Sequence, residues 1–233
     1  MLPEKIEQLR GGLVVSCQAP AGSPLDDADI MAALALVAER NGAAGVRVNG
    51  PEHIAAVRRS VQLPLIGIEK VDSDEPKVYI TPVFAVAQRI AASGTDIIAL
   101  DATRRPRPHG EKLEDLIRRV REELLLPVMA DVSTFEEGCY AADCGADLVA
   151  TTLCGYTDET AHIRPPDFSL VARLAGRLNV PVVCEGGVGS PEQARRALES
   201  GAFAVVVGGA ITGVDRLVRA FVSGLKGSLG DKF

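Results

Sequence analysis

An alternation constrains this chain more than any other feature. Eight short apolar runs, at residues 12–18, 44–49, 63–70, 95–102, 126–133, 146–152, 180–187 and 202–209, alternate with stretches of helical spacing at 27–41, 51–60, 82–93, 111–124, 134–144, 167–178, 191–200 and 213–226. The runs are rich in Val, Ile, Leu and Ala and carry almost no charge in their bodies. That is the pattern of parallel strands buried on both faces. Parallel strands need crossover connections, and the intervening helices supply them. Two architectures satisfy the alternation, an open doubly wound sheet and a closed (β/α)8 barrel. Eight repeats within 233 residues favour closure. The expectation is an α/β fold, a single (β/α)8 TIM barrel domain spanning residues 1–233.

A weak internal repeat supports the count. Gly42, Gly94, Gly145 and Gly201 each follow a helical pattern and precede a strand, in N-G-A-A-G-V-R-V, S-G-T-D-I-I-A-L, C-G-A-D-L-V-A-T and S-G-A-F-A-V-V-V. Glycine there suits the left-handed residue that ends many helices. The alternate helices lead instead into L-P-L-I, L-P-V-M and V-P-V-V. Asn49-Gly50-Pro51-Glu52 and Ser190-Pro191-Glu192 read as helix starts, with a capping side chain, a proline and an acid in the first turn.

Active sites of such barrels are built at the C-terminal strand ends, and here those ends are polar. They offer Ser16 and Gln18, Arg47 and Asn49, Lys70, Asp101 and Thr103, Asp131 and Ser133, Thr151 and Thr152, and Glu185. Several charges of both signs around one mouth suit a network that binds a polar ligand, because burying any one of them unpaired is costly. Strand alternation in L-P-L-I-G-I-E-K puts Ile66, Ile68 and Lys70 on one side and Glu69 on the other. Lys70 therefore points into the mouth above an apolar layer, where desolvation makes it a usable base or Schiff-base nucleophile. The plainer reading pairs it with Asp72 or Asp74. Glu185 either tunes Lys70, acts as a partner acid or base, or only bridges to Arg47. Gly186-Gly187 and Gly208-Gly209 follow the last two strands, where such barrels commonly hold phosphate, so a phosphate-binding barrel is expected. In R-R-P-R-P-H, Arg104 is best placed to meet an anion.

Composition excludes other classes. The net charge of −6 and pI near 5.2 argue against non-specific nucleic-acid binding. No apolar run approaches the length of a membrane helix, and the charged start M-L-P-E-K-I-E-Q lacks the apolar stretch of an export signal. Five cysteines without C-x-x-C spacing fit reduced thiols, hence a cytoplasmic protein. His53, His109 and His162 are scattered and suggest no metal cluster. No nucleotide-binding fingerprint occurs. Barrels often pair, so a homodimer is expected.

Taken in order, G-L-V-V-S-C-Q, G-V-R-V-N-G, L-P-L-I-G-I-E-K, V-Y-I-T-P, I-I-A-L-D-A-T, V-M-A-D-V-S, A-T-T-L-C-G-Y-T, V-V-C-E-G-G and V-V-V-G-G-A-I-T span residues 11–212. Together they resemble the N-acylglucosamine-6-phosphate 2-epimerase (N-acetylmannosamine-6-phosphate 2-epimerase) family. The resemblance implies an isomerase of amino-sugar and sialic-acid breakdown that interconverts two sugar phosphates without metal or organic cofactor. It implies Lys70 and Glu185 as catalytic residues, Gln18, Arg47 and Asp131 as substrate contacts, and Gly186, Gly187, Gly208 and Gly209 as phosphate turns. Three positions depart from the family pattern. Gly187 and Gly213 stand where arginine is usual, and Val71 follows the lysine in place of arginine. Arg104 or Arg107 is expected to make up the missing charge. Two other readings stay open, a Schiff-base lyase or aldolase using Lys70 and a non-catalytic sugar-phosphate binder.

Overall fold

The apolar runs form eight parallel strands: β1 (Leu13–Cys17), β2 (Gly45–Asn49), β3 (Leu65–Ile68), β4 (Ile97–Asp101), β5 (Val128–Asp131), β6 (Leu148–Ala150), β7 (Val182–Cys184) and β8 (Ala204–Val207). In this computed structural model, which describes residues 2–71 and 78–227, they pair in sequence order, and β8 closes onto β1 through Leu13↔Val205 to Val15↔Val207. The closed barrel is therefore realised, not the open sheet. Each strand is shorter than its apolar run, and Gln18, Lys70, Thr152 and Glu185 lie just past the ends of β1, β3, β6 and β7. Arg47, Asp101 and Asp131 stay within the ladder.

The helices are α1 (Glu4–Glu7), α2 (Ala28–Arg40), α3 (Pro51–Ser60), α4 (Phe84–Ala92), α5 (Leu113–Glu123), α6 (Phe135–Asp143), α7 (Phe168–Arg177), α8 (Pro191–Glu199) and α9 (Val214–Gly227). The four repeat glycines lie at φ +85 to +96, the left-handed region expected of helix ends. Ser190 caps α8 as expected, accepting from Gln193 N. Asn49 does not cap α3. Gly50 is the capping residue there, without a side-chain bond, and Asn49 Oδ1 instead accepts from the backbone N–H of Lys70 at 2.8 Å.

Strand alternation sorts the core into two layers. Val14, Ile66, Ile68, Ile97, Ala99, Met129, Leu148, Val183 and Val206 fill the barrel interior. Val15, Val46, Leu65, Ile98, Val128, Val149 and Val205 pack outward under the helices. The sequence reading missed α1, which is too short to show a period. Its Ile6, with Leu9 just beyond, is fully buried and plugs the end of the barrel opposite the polar strand ends. Gly45 lacks a side chain for this reason, since a Cβ there would lie 2.6 Å from Leu9 Cδ2.

The last helix differs from the others. Helices α2 to α8 each pack against at least one strand, whereas the described residues of α9 are exposed along most of its length. Its first turn is tied to the loop after β1 by Ser23 Oγ donating to Asp215 Oδ2 at 2.9 Å. Along the helix Val214, Val218, Phe221, Val222 and Leu225 are exposed at 49%, 55%, 75%, 44% and 68%. Their spacing puts them on one side of the helix.

Candidate active site at the C-terminal mouth of the barrel

Above the apolar interior lies a polar layer, and Arg47 is its centre. Projecting inward from β2, Arg47 is 1% exposed. Its Nη1 and Nη2 donate to Asp131 Oδ1 and Oδ2 at 3.1 and 2.6 Å, and Nη1 also donates to Glu185 Oε2 at 2.6 Å. Thr152 Oγ1 donates to Asp131 Oδ1 at 2.7 Å. Residues from β2, β5 and the loops after β6 and β7 are thereby joined. Burial opposes the Arg47 charge, but Asp131 and Glu185 outweigh it and raise its pKa. Glu185 shows the reverse balance. Burial pushes its carboxyl up to about 7, with Arg47 pulling downward and Asp131 upward, and Lys70 lowering it further from a distance. A carboxylate poised near neutrality is suited to acid–base work.

Arg47 and Asp131 do not line the mouth cavity. The resemblance implied that both touch substrate; they lie beneath Glu185, where Arg47 holds its carboxylate and Asp131 holds Arg47. Both are paired within the strand ladder, while Glu185 stands one residue beyond β7.

The cavity, of about 470 Å³, is lined by Gln18, Lys70, Thr152 and Glu185 together with both glycine pairs. A pocket of this size suits a small-molecule ligand. Lys70 lies at its rim, over the layer that holds Ile66 and Ile68, and Glu69 points away to pair with Arg89 at 2.8 Å, as the alternation required. Lys70 is exposed, however, so the desolvation expected from the sequence is not seen. Asp72 and Asp74 lie outside the described residues. The segment around Tyr79 returns beside Lys70 in a bridge between Lys70 and Ile80, with Val71 N donating to Tyr79 O at 2.9 Å. This brings Tyr79 into the cavity lining, a residue the sequence reading left without a role. Burial, with Asp131 and Asp101 nearby, raises the pKa of Tyr79 and keeps it a hydroxyl donor. Gln18 Nε2 donates to Ser16 Oγ at 2.7 Å, which fixes its amide at the opposite wall.

Asp101 and Asp131 are adjacent partners in the β4–β5 ladder, and both are fully buried. Each has its own arginine. Arg105 Nη2 donates to Asp101 Oδ2 at 2.6 Å, and Thr103 Oγ1 donates to Oδ1 at 2.7 Å. Arg104, expected at the mouth, is placed outside it. Its backbone N–H is held by Glu137 Oε1 at 3.0 Å, and its exposed side chain lies over the Tyr140 ring in a separate surface pocket. Arg107 is buried and donates to the carbonyls of Asp101 and Pro82. Neither arginine faces the cavity. Arg105, not its neighbours, meets Asp101, because the bend at 103–105 turns its side chain toward the barrel.

The glycine turns converge on one side of the cavity. Gly186 and Gly187 adopt φ +101 and +68, which only glycine takes readily, and a Cβ on Gly187 would lie 2.5 Å from the Pro165 carbonyl oxygen. Gly208 and Gly209 precede the turn in which Thr212 Oγ1 donates to Ser16 O at 2.7 Å. Both glycine pairs line the cavity with backbone and no side chain of their own.

Residues 31–227 match the family model described as "Putative N-acetylmannosamine-6-phosphate epimerase". A relative from Thermosynechococcus vestitus, carrying that designation as a 2-epimerase, is 53% identical over 94% of this chain and 95% of its own length. One from Synechococcus elongatus is 50% identical over 95% and 97%. Among solved structures, the N-acetylmannosamine-6-phosphate 2-epimerase from Clostridium perfringens superposes with a TM-score of 0.91 at 38% identity, covering 95% of this chain and 96% of that one. A thiamine phosphate pyrophosphorylase from Pyrococcus furiosus shares the fold, with a TM-score of 0.61 at 17% identity. The length and identity of these matches leave one assignment: this chain belongs to the N-acetylmannosamine-6-phosphate epimerase family.

Proposed function

We propose that this protein interconverts N-acetylmannosamine-6-phosphate and N-acetylglucosamine-6-phosphate by moving a proton at carbon-2. The observation that carries the reading is one cavity that holds Lys70, Glu185 and both double-glycine turns. In the open-chain sugar, carbon-2 is next to the carbon-1 aldehyde. Neutral Lys70 removes the carbon-2 proton, and the electron pair of that bond passes into the enolate. A proton returned to the opposite face, from a second acid or from Lys70 relayed through a substrate hydroxyl, inverts the centre and restores the aldehyde. Glu185, held by Arg47, favours by its charge the ammonium that Lys70 becomes on taking the proton, and Gln18 orients the sugar. Phosphate held at the glycine turns supplies binding energy remote from carbon-2. No electron leaves the substrate, so no redox cofactor is required. Proton NMR in D₂O tests the reaction: N-acetylglucosamine-6-phosphate carrying deuterium at carbon-2 is expected. Binding without conversion or exchange would overturn it.

The Glu185 pKa predicts the acid side of the pH profile. The carboxylate forms as pH rises through about 7, so kcat/KM is expected to fall below that value. In Glu185→Gln the remaining activity is low and loses this limb. A limb that stays in place in Glu185→Gln assigns it to another group.

Among the described residues no helix is long and apolar enough to cross a membrane. The five cysteines are all free, and a phosphorylated sugar does not cross membranes unaided. The cytosol is the compartment that suits both facts.

The partner surface is the exposed side of α9, and its occupant is a second copy of this chain. On α2, Ile30, Leu34 and Val37 recur at helical spacing on the flank opposite Glu39, whose carboxylate meets Gln62 N beyond α3. That flank lies away from α3; Ile30 and Leu34 are partly buried against the core, and Val37 is 58% exposed. One chain thus carries both halves of an unmade helix contact, and contiguous apolar patches of this kind mark interfaces. A two-fold pair in which each α9 covers the partner's α2 flank satisfies both at once. Sedimentation velocity is expected to give a dimer, and Val218→Asp with Phe221→Asp a folded monomer. A monomeric parent protein removes the idea.

A further inference from the structure

The glycine turns offer backbone N–H groups to an anion but no full positive charge. Among the described residues that line the cavity, the cations are Lys70 and Arg216. Lys70 belongs to the reacting carbon. Arg216, in the first turn of α9, stands against the second glycine turn. Its Nη2 donates to the Gly209 carbonyl at 2.9 Å, and a Cβ on Gly209 would come within 3.0 Å of its Nε. The guanidinium therefore lies directly over the Gly209 backbone, with most of its five donors left for a ligand.

In this chain's conformation neither turn has room for a side chain at position 187 or 213. A Cβ on Gly213 would lie 2.6 Å from the Gly209 carbonyl oxygen and 2.8 Å from Gly209 Cα, both backbone atoms that side-chain motion cannot relieve. Gly187 is blocked in the same way by Pro165. Arg216, one helical turn beyond Gly213, reaches the position that residue 213 cannot fill. Its helix turn is fixed at both flanks, by Asp215 accepting from Ser23 Oγ at 2.9 Å and by Thr212 Oγ1 on Ser16 O at 2.7 Å.

We propose that Arg216 is the positioning residue for the substrate phosphate, and that Gly213 and Arg216 act as a pair, the first clearing the space that the second occupies. This rests on the reading that phosphate sits at the glycine turns. The planar fork places one donor edge on the Gly209 carbonyl and presents the rest to two phosphate oxygens.

Two measurements test it. In steady-state kinetics, Arg216→Ala is expected to raise KM for N-acetylmannosamine-6-phosphate by about tenfold or more with kcat within about twofold, the scale of a charge-assisted hydrogen bond. Arg216→Lys should fall between, because an ammonium keeps the charge but not the fork. Calorimetry with inorganic phosphate alone does not depend on turnover, and affinity should fall by a similar factor in Arg216→Ala. If the parent protein binds phosphate but does not turn over, the epimerase reading fails while this one stands on the calorimetry. Equal phosphate affinity in parent and Arg216→Ala overturns it, as does a fall in kcat with KM unchanged.

Discussion

Lys70→Ala is expected to lower kcat/KM for epimerisation by about 10³- to 10⁴-fold, the range that one positioned acid–base group supplies. Its stability should change little. Lys70 is exposed at the cavity rim, and its backbone, held by Asn49 Oδ1 and by the bridge to Ile80, does not depend on the side chain. Substrate should still bind, because the glycine turns and Gln18 lie on other strands. Deuterium incorporation at carbon-2 is the decisive readout, since it reports proton removal even where net conversion is slow. Near-normal exchange in the variant would remove Lys70 from the reaction. Lost exchange with unchanged substrate affinity is the result that fits a base and not a binding group.

Arg47→Ala is the substitution with the largest expected cost to the fold. It leaves Asp131, fully buried, and Glu185, 11% exposed, without the cation that both share. Removing one partner of a buried ionic network typically costs about 3–5 kcal/mol. For a chain of this length that is a fall in Tm on the order of 10 °C. The loss should also depend on pH. Burial raises the Glu185 pKa to about 7 from an ordinary carboxylate value of 4.5. A raised folded-state pKa means the native protein holds a proton that the unfolded chain releases, so this group's contribution to stability is full below about 4.5 and is lost as pH rises to 7. Without Arg47 the opposing pull disappears, and the window extends further upward. Arg47→Ala is therefore expected to be more destabilised relative to the parent protein at pH 8 than at pH 5.5, as measured by urea unfolding at both values. Equal deficits at the two pH values would mean that Asp131 alone carries the cost. No deficit at either would mean that the network is not formed.

Much of the molecule was legible in one dimension, and the misses have local causes. The alternation located all eight strands because a buried parallel strand is apolar along its whole length, and the helix-ending glycines marked the repeats. The period-2 pattern through Ile66, Ile68 and Lys70 put Lys70 at the mouth, since side-chain direction along a strand is a local property. It could not tell that Lys70 stays exposed, because exposure depends on what other loops cover. Helix α1 was missed because four residues carry no periodicity. Asn49 read as a cap because the residue type fits, yet a neighbouring strand offered its side chain a better donor. Arg104 was preferred over Arg105 for its nearness to Thr103, but nearness along a loop does not fix direction.

What the sequence by itself determined is therefore the barrel, its strand order, the polar character of its mouth and the two glycine turns. Each of these follows from periodicity or backbone freedom within a few residues. Only the tertiary structure decided which charges pair. Arg47 meets partners 84 and 138 residues away, Arg105 takes Asp101, and Arg216 lies over Gly209 where position 213 has no room. Only the tertiary structure, too, left the apolar side of α9 uncovered. Pairing across a closed barrel depends on how strands from distant parts of the chain are brought side by side, and the energy of a buried charge depends on every atom around it, so neither quantity is written in any local stretch of residues.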